Sequence, residues 1–159
     1  MRYDLAPDLY EIAVDISKTL FPYIKIDRIK CYRSVGTNSR GTIARCHALG
    51  KLMQEALDVD AFYALEFLSE RFEKLSKEDQ VKVIIHELMH IPYTFGGGFK
   101  HHDVVTSRNV EKNYKLYLNL RNSRLNANQS VLEPNVDSAN VNIITIKPEI
   151  KKSGWFGGF

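Results

Sequence analysis

The stretch "SKEDQVKVIIHELMHIPYTFGGGFKHHD", Ser76 to Asp103, holds four of the chain's five histidines. Ser76 with Asp79 three residues on reads as a helix start, a capping box with Asp in the place usually taken by Glu. Val81, Ile84, Ile85 and Leu88 then recur at helical intervals and make one apolar face. Ile91-Pro92 stops the helix, because the residue before a proline is pushed out of the helical region. His86, Glu87 and His90 stand on this helix in an HExxH pattern. Side chains four apart share a helix face, with Cβ atoms about 5–6 Å apart. Two imidazoles so placed reach a single metal ion at about 2.0–2.1 Å. Glu87, beside the first of them, is angled toward a metal-bound water. Zinc lowers the pKa of such a water toward about 7, and a carboxylate then takes its proton.

A catalytic zinc takes three protein ligands and leaves one position for water. The extended pattern with a third histidine six residues after the second is absent, since Gly96 stands there. Three candidates remain. His101 and His102 follow a glycine loop that can swing back over the helix end. Glu111 lies 21 residues beyond His90, on the helix expected next.

Working outward, "APDLYEIAVDISKTLFPYI" places Leu9, Ile12, Ala13, Ile16 and Leu20 at helical spacing, with Pro22 ending the run. "KIDRIKCYRSV" and "TIARCHAL" read as strands joined by the turn "GTNSRG". As an antiparallel hairpin they would set Cys31 roughly opposite Cys46, as buried thiols or, in a hyperthermophile, as a cross-strand disulfide. "LGKLMQEALD" reads as a short helix. "AFYALEFL" reads as a buried or half-buried strand, and is the candidate edge for an extended peptide. Tyr114, Tyr117 and Leu118 lie on a further helix. Beyond Asn122 the chain turns polar and reads as a long loop, then a terminal strand in "VNIITIKPEI" and a flexible tail, "KKSGWFGGF". The expected organisation is therefore one domain over residues 1–122 and an extension over 123–159.

The chain has 159 residues, 44% hydrophobic and 26% charged, which suits a single soluble core. No run of about 18 apolar residues predicts a membrane span, and the N-terminus lacks an apolar signal core, so an intracellular, cytoplasmic protein is expected. The net charge of +3 comes with no nucleic-acid-binding motif. Two cysteines are too few for a four-cysteine zinc knuckle.

The segment from Ile43 to Tyr117, above all "SERFEKLS", "HELMHIP" and "TFGGGFKHH", resembles the metallopeptidases of archaea and their viruses. These are compact zincins similar in layout to SprT-like and minigluzincin domains. The resemblance implies zinc-dependent peptide hydrolysis with Glu87 as general base and His86 and His90 as metal ligands. Aligned on "TF" and the glycines, the family's single histidine falls on His102, while His101 occupies a variable place. Glu111 is the position from which gluzincins supply a third ligand. The doubled histidine and the last forty or so residues depart from the family.

The reading is a small α+β zincin-like domain: a mostly antiparallel sheet of three or four strands packed against the HExxH helix and flanking helices. Zn2+ is the expected cofactor and a peptide or protein the expected partner, with no membrane. Tyr93, Tyr114 and Tyr117 are candidates to steady an oxyanion, Asp103 to hold an imidazole, and His47 is read as structural. The alternative is a binding or regulatory module on the same fold, gripping a protein or DNA partner with little or no proteolysis.

Overall fold

Ser76 begins the central helix as its sequence dictates. Its Oγ accepts from the Asp79 N–H at 3.1 Å and donates to the Asp79 carboxylate at 2.8 Å. This helix, α4, spans Lys77–Met89. Ile84, Ile85 and Leu88 are fully buried on it, and Val81 packs at the margin of the core. The computed structural model describes residues 1–132 other than Asn38. The expected strand in "VNIITIKPEI" and the aromatic tail lie outside the described residues.

The other elements are β1 (Arg2–Leu5), α1 (Pro7–Leu20), β2 (Ile29–Val35), β3 (Ala44–Ala48), α2 (Lys51–Leu57), β4 (Tyr63–Leu68), the single turn α3 (Ser69–Phe72) and α5 (Ser107–Leu132). The strands form one sheet in the order β1-β2-β4-β3. β1 and β3 run antiparallel to their neighbours, whereas β2 and β4 are parallel. The sheet is therefore mixed rather than mostly antiparallel. Ile29, Cys31, Tyr63, Leu65 and Phe67 project from one face into a core shared with α1, α4 and α5.

The hairpin expected between β2 and β3 does not form, because β4 lies between them. Cys31 and Cys46 both sit opposite Leu65, one on each side. Two strand spacings, roughly 10 Å, separate such positions, beyond the ~7 Å reach of a disulfide. Both thiols are free, and burial pushes both well above the ordinary thiol range, Cys31 to about 12. The exchange of places has a physical cause. "YALEFL" is apolar on one face, carries the single acid Glu66 on the other, and is buried at nearly every position, which suits the middle of a sheet. "ARCHA" carries Arg45 and His47 toward the face away from the helices, which only a more exposed strand tolerates. So β3, not β4, is the edge.

α5 runs well past Asn122, where a loop was expected. Tyr117 anchors it, donating to Asp15 of α1 at 2.6 Å, and Arg124 reaches the same carboxylate at 3.0 Å. Arg33 of β2 fastens the opposite end of the sheet. It donates twice to Asp8 of α1, at 2.6 and 2.7 Å, and once to Glu73 at 2.7 Å. The Arg33 hydrogen bonds hold the Asp8 carboxyl below the usual carboxylate value. A carboxyl with a depressed native pKa stabilises the fold above its unfolded value and loses that contribution as pH falls through the native one. Arg33→Leu should therefore lower the unfolding free energy by about 1 kcal/mol at neutral pH, the modest figure reflecting the partly solvated pair. The difference from the unmodified protein should shrink below the ordinary carboxyl value of 3.8. Urea unfolding of both proteins at neutral pH and near pH 3 measures it.

Candidate metal centre

The last turns of α4 present His86 and His90 on the side away from Ile84 and Leu88. Their Nε2 atoms stand 3.2 Å apart. Two nitrogens bound at about 2.0–2.1 Å to one tetrahedral ion lie roughly 3.3 Å from each other, so the pair has the spacing an ion requires. The glycine loop brings a third ring to them. His102 has its ring centroid 5.5 Å from that of His86 and 4.8 Å from that of His90. One ligand atom from each of the three histidines lies within 4.8 Å of the other two, and no other such group of His, Cys, Asp or Glu occurs among the described residues.

Lys100 fixes the return of the loop through its backbone. Its N–H donates to the His90 carbonyl at 2.8 Å, and the His90 Nδ1 lies 2.7 Å from the Lys100 carbonyl. A carbonyl only accepts, so the His90 proton is on Nδ1 and Nε2 is left as a donor for an ion. The Lys100 ammonium is held over the rings of Tyr93 and Tyr23, at 4.4 and 5.3 Å, and bonds the Tyr23 hydroxyl at 3.2 Å.

Two buried residues hold the loop from below. The Tyr63 hydroxyl accepts from the Gly97 N–H and donates to the Gly98 carbonyl, both at 2.9 Å. Gln54 of α2 donates to the Leu49 carbonyl at 2.6 Å and to the Gly96 carbonyl at 3.0 Å. Gly97 has φ +88°, and a Cβ there would come within 2.3 Å of the Gln54 amide and the Leu49 carbonyl. α2 is thus turned with its glutamine inward, while Leu52 is 81% exposed.

Glu87 is only 5% exposed. Burial pushes its carboxyl up to about 7, partly offset by the nearby backbone N–H of Cys46. A nearby dication would favour the ionised form again. His86 is pushed down to about 4, chiefly by burial and then by His90 and His102. Neutral imidazole is the form that binds a metal.

The other sequence candidates lie elsewhere. His101 is exposed, and its carbonyl accepts from Val104 and Val105. Glu111 is spent on Lys82 at 2.8 Å and Lys115 at 3.7 Å. Tyr117 bonds Asp15, Tyr114 lies under Lys82, and Tyr93 packs on Tyr23. Asp103 accepts from the Val104 N–H, and the Lys100 carbonyl takes the imidazole-holding role read for it. His47 bonds the buried Glu66 at 2.7 Å. Lys100, Tyr63, Gln54 and the Cys46 N–H went unread in the sequence. All four act through, or upon, backbone groups, which residue identity does not disclose.

A cleft of about 640 Å3 opens beside His86, Glu87 and His102, between the start of β3 and the start of α5. Residues 1–129 match the profile of a family described as putative phage metallopeptidase. The chain belongs to that family. Membership carries metallopeptidase activity as the family's general assignment, and with it a metal cofactor, with which the three histidines are compatible. No curated protein and no solved structure matches the chain. Among the described residues no helix is long and apolar enough to cross a membrane.

The anchoring contacts can be tested directly. Tyr63→Phe removes one acceptor and one donor from the glycine loop and should weaken metal binding about tenfold or more, in line with the 1–3 kcal/mol expected for stranded buried groups. Gly98→Ala, where a Cβ would meet nothing within 4 Å, should leave it unchanged. Titration with zinc against a chromophoric chelator distinguishes the two outcomes.

Proposed function

We propose that the chain is a zincin-like peptidase in which His86, His90 and His102 hold a zinc ion and Glu87 is the general base. The observation that carries this reading is the convergence of three imidazoles beside a buried carboxylate at the mouth of a cleft. An all-imidazole set suits zinc among the first-row metals. When bound there, zinc would supply Lewis acidity to the water and to the substrate carbonyl. The chain's own groups do the rest. Glu87, buried beside the Cys46 N–H, takes a proton from the attacking water and returns it to the departing amine. The Lys100 carbonyl keeps the His90 proton on Nδ1.

The edge strand supplies a place for the substrate backbone. Leu68 and Leu49 hydrogen bonds turn the backbone groups of Ile43 and Leu49 toward β4. By alternation, those of Thr42, Ala44 and Cys46 face outward. The Cys46 N–H lies near the Glu87 carboxyl and lowers it, while Thr42 and Ala44 line the cleft. An extended peptide adding to β3 at Thr42 and Ala44 would carry its next carbonyl toward the three histidines.

Glu87→Gln should reduce peptide hydrolysis by about 10²–10⁴-fold with zinc still bound. Substantial remaining turnover in that variant would sink the mechanism. His102→Ala should lose zinc and His101→Ala should keep it, as read by metal content after dialysis. The reverse result would move the third ligand to His101.

A further inference from the structure

The sheet has a second edge that the cleft does not use. β1 pairs with β2 on one side, and no strand lies on its other side among the described residues. The direction of its free groups follows from the ladder. The Ala6 N–H donates to the Cys31 carbonyl at 3.0 Å, in register with Arg2↔Val35 and Asp4↔Arg33. Even-numbered residues therefore spend their backbone groups on β2. The N–H and C=O of Tyr3 and Leu5 point outward from the sheet. The side chains along this edge are large and exposed: Met1 at 66%, Tyr3 at 53% and Leu5 at 64%. Arg2 and Asp4 alternate with them and bond each other at 2.9 Å.

We infer that β1 is a self-pairing edge, and that a second copy of this chain adds to it antiparallel about a dyad through Tyr3. Three features of the strand agree on this register. A dyad at Tyr3 makes Tyr3 and its symmetry mate exchange both N–H···O=C bonds, which only an outward-facing residue can do. It sets Arg2 of each copy opposite Asp4 of the other, in the non-hydrogen-bonded pairs where side chains approach closest. It sets Met1 opposite Leu5, apolar against apolar. Shifting the register by two residues would place Arg2 opposite Arg2 or Asp4 opposite Asp4. The ion pair now made within one strand is thereby made across the interface twice, and the contact is isologous.

The dyad continues the sheet to eight strands with both helical layers on one face. β3 is three strands away from β1, so both clefts stay open and the inference does not depend on the peptidase reading. A contact of about five residues per strand falls below the ~1,200 Å2 of a standard interface. The dimer is therefore weak and concentration-dependent.

The test is sedimentation equilibrium of the full chain without an N-terminal tag, over a concentration series reaching the millimolar range. The unmodified protein should dimerise. Arg2→Asp and Asp4→Arg, each of which places like charges opposite one another twice, should each raise the dissociation constant about tenfold or more. The double variant Arg2→Asp/Asp4→Arg should restore it. Restoration cannot come from a misfolded chain, and melting curves of the single variants check that they remain folded. A protein that stays monomeric throughout, or a dimer indifferent to both single exchanges, overturns the inference.

Discussion

The two-way hydrogen bonding between His90 and Lys100 is the contact on which the centre depends. It closes a ten-residue excursion of the chain at its narrowest point. One bond sets the tautomer of a histidine, and the other returns the chain to the helix end. With that point fixed, the single residue between Lys100 and His102 is enough to bring the third ring over the first two. The glycines make the path open, but they do not choose it. Tyr63 and Gln54 choose it, by binding peptide groups at Gly96, Gly97 and Gly98 that would otherwise take partners from water. Phe95, held at φ 46° and buried against Tyr63, records the conformational cost of that path.

What could be read in the sequence was what is local. The cap at Ser76, the apolar face of α4 and the i,i+4 histidines all follow from helix geometry within one segment. The convergence of His102 with His86 and His90 agrees with the alignment of the glycine loop, and a histidine doublet otherwise gives no reason to prefer one ring. What could not be read was pairing. The sequence distance from β2 to β3 is short, and a hairpin is the economical reading. It fails because the later strand β4 has the stronger claim to the interior. Nothing within Ile29 to Ala48 announces that competitor. β1 escaped notice for a related reason: four residues with alternating charge carry little strand signal until β2 gives them a partner.

The same ordering of strands sets the electrostatics of the site. Because β3 is the edge, α4 can lay Glu87 against its outward-facing backbone, where the Cys46 N–H meets the carboxylate. Had β4 been the edge, the polar groups of Arg45 and His47 would have needed interior partners. Instead they close over Glu66, which is 3% exposed on the far side of the sheet. Two glutamates are thus buried on opposite faces by opposite means. Glu66 is held by cationic and imidazole donors, and Glu87 by little more than one N–H. The first is a structural anion. The second has no ion-pair partner among the described residues, and burial raises its carboxyl.

The inward glutamine of α2 has a consequence for how the protein matures. His86, His90 and His102 lie within seventeen consecutive residues, but the groups that shape their loop come from Gln54 and Tyr63, reached only after the sheet and α2 have assembled. Small zinc modules whose ligands organise the chain fold upon the metal. Here the anchors of the loop belong to the sheet and α2 rather than to the ligands, so the cradle is held by the fold itself and loss of an ion should leave the architecture standing.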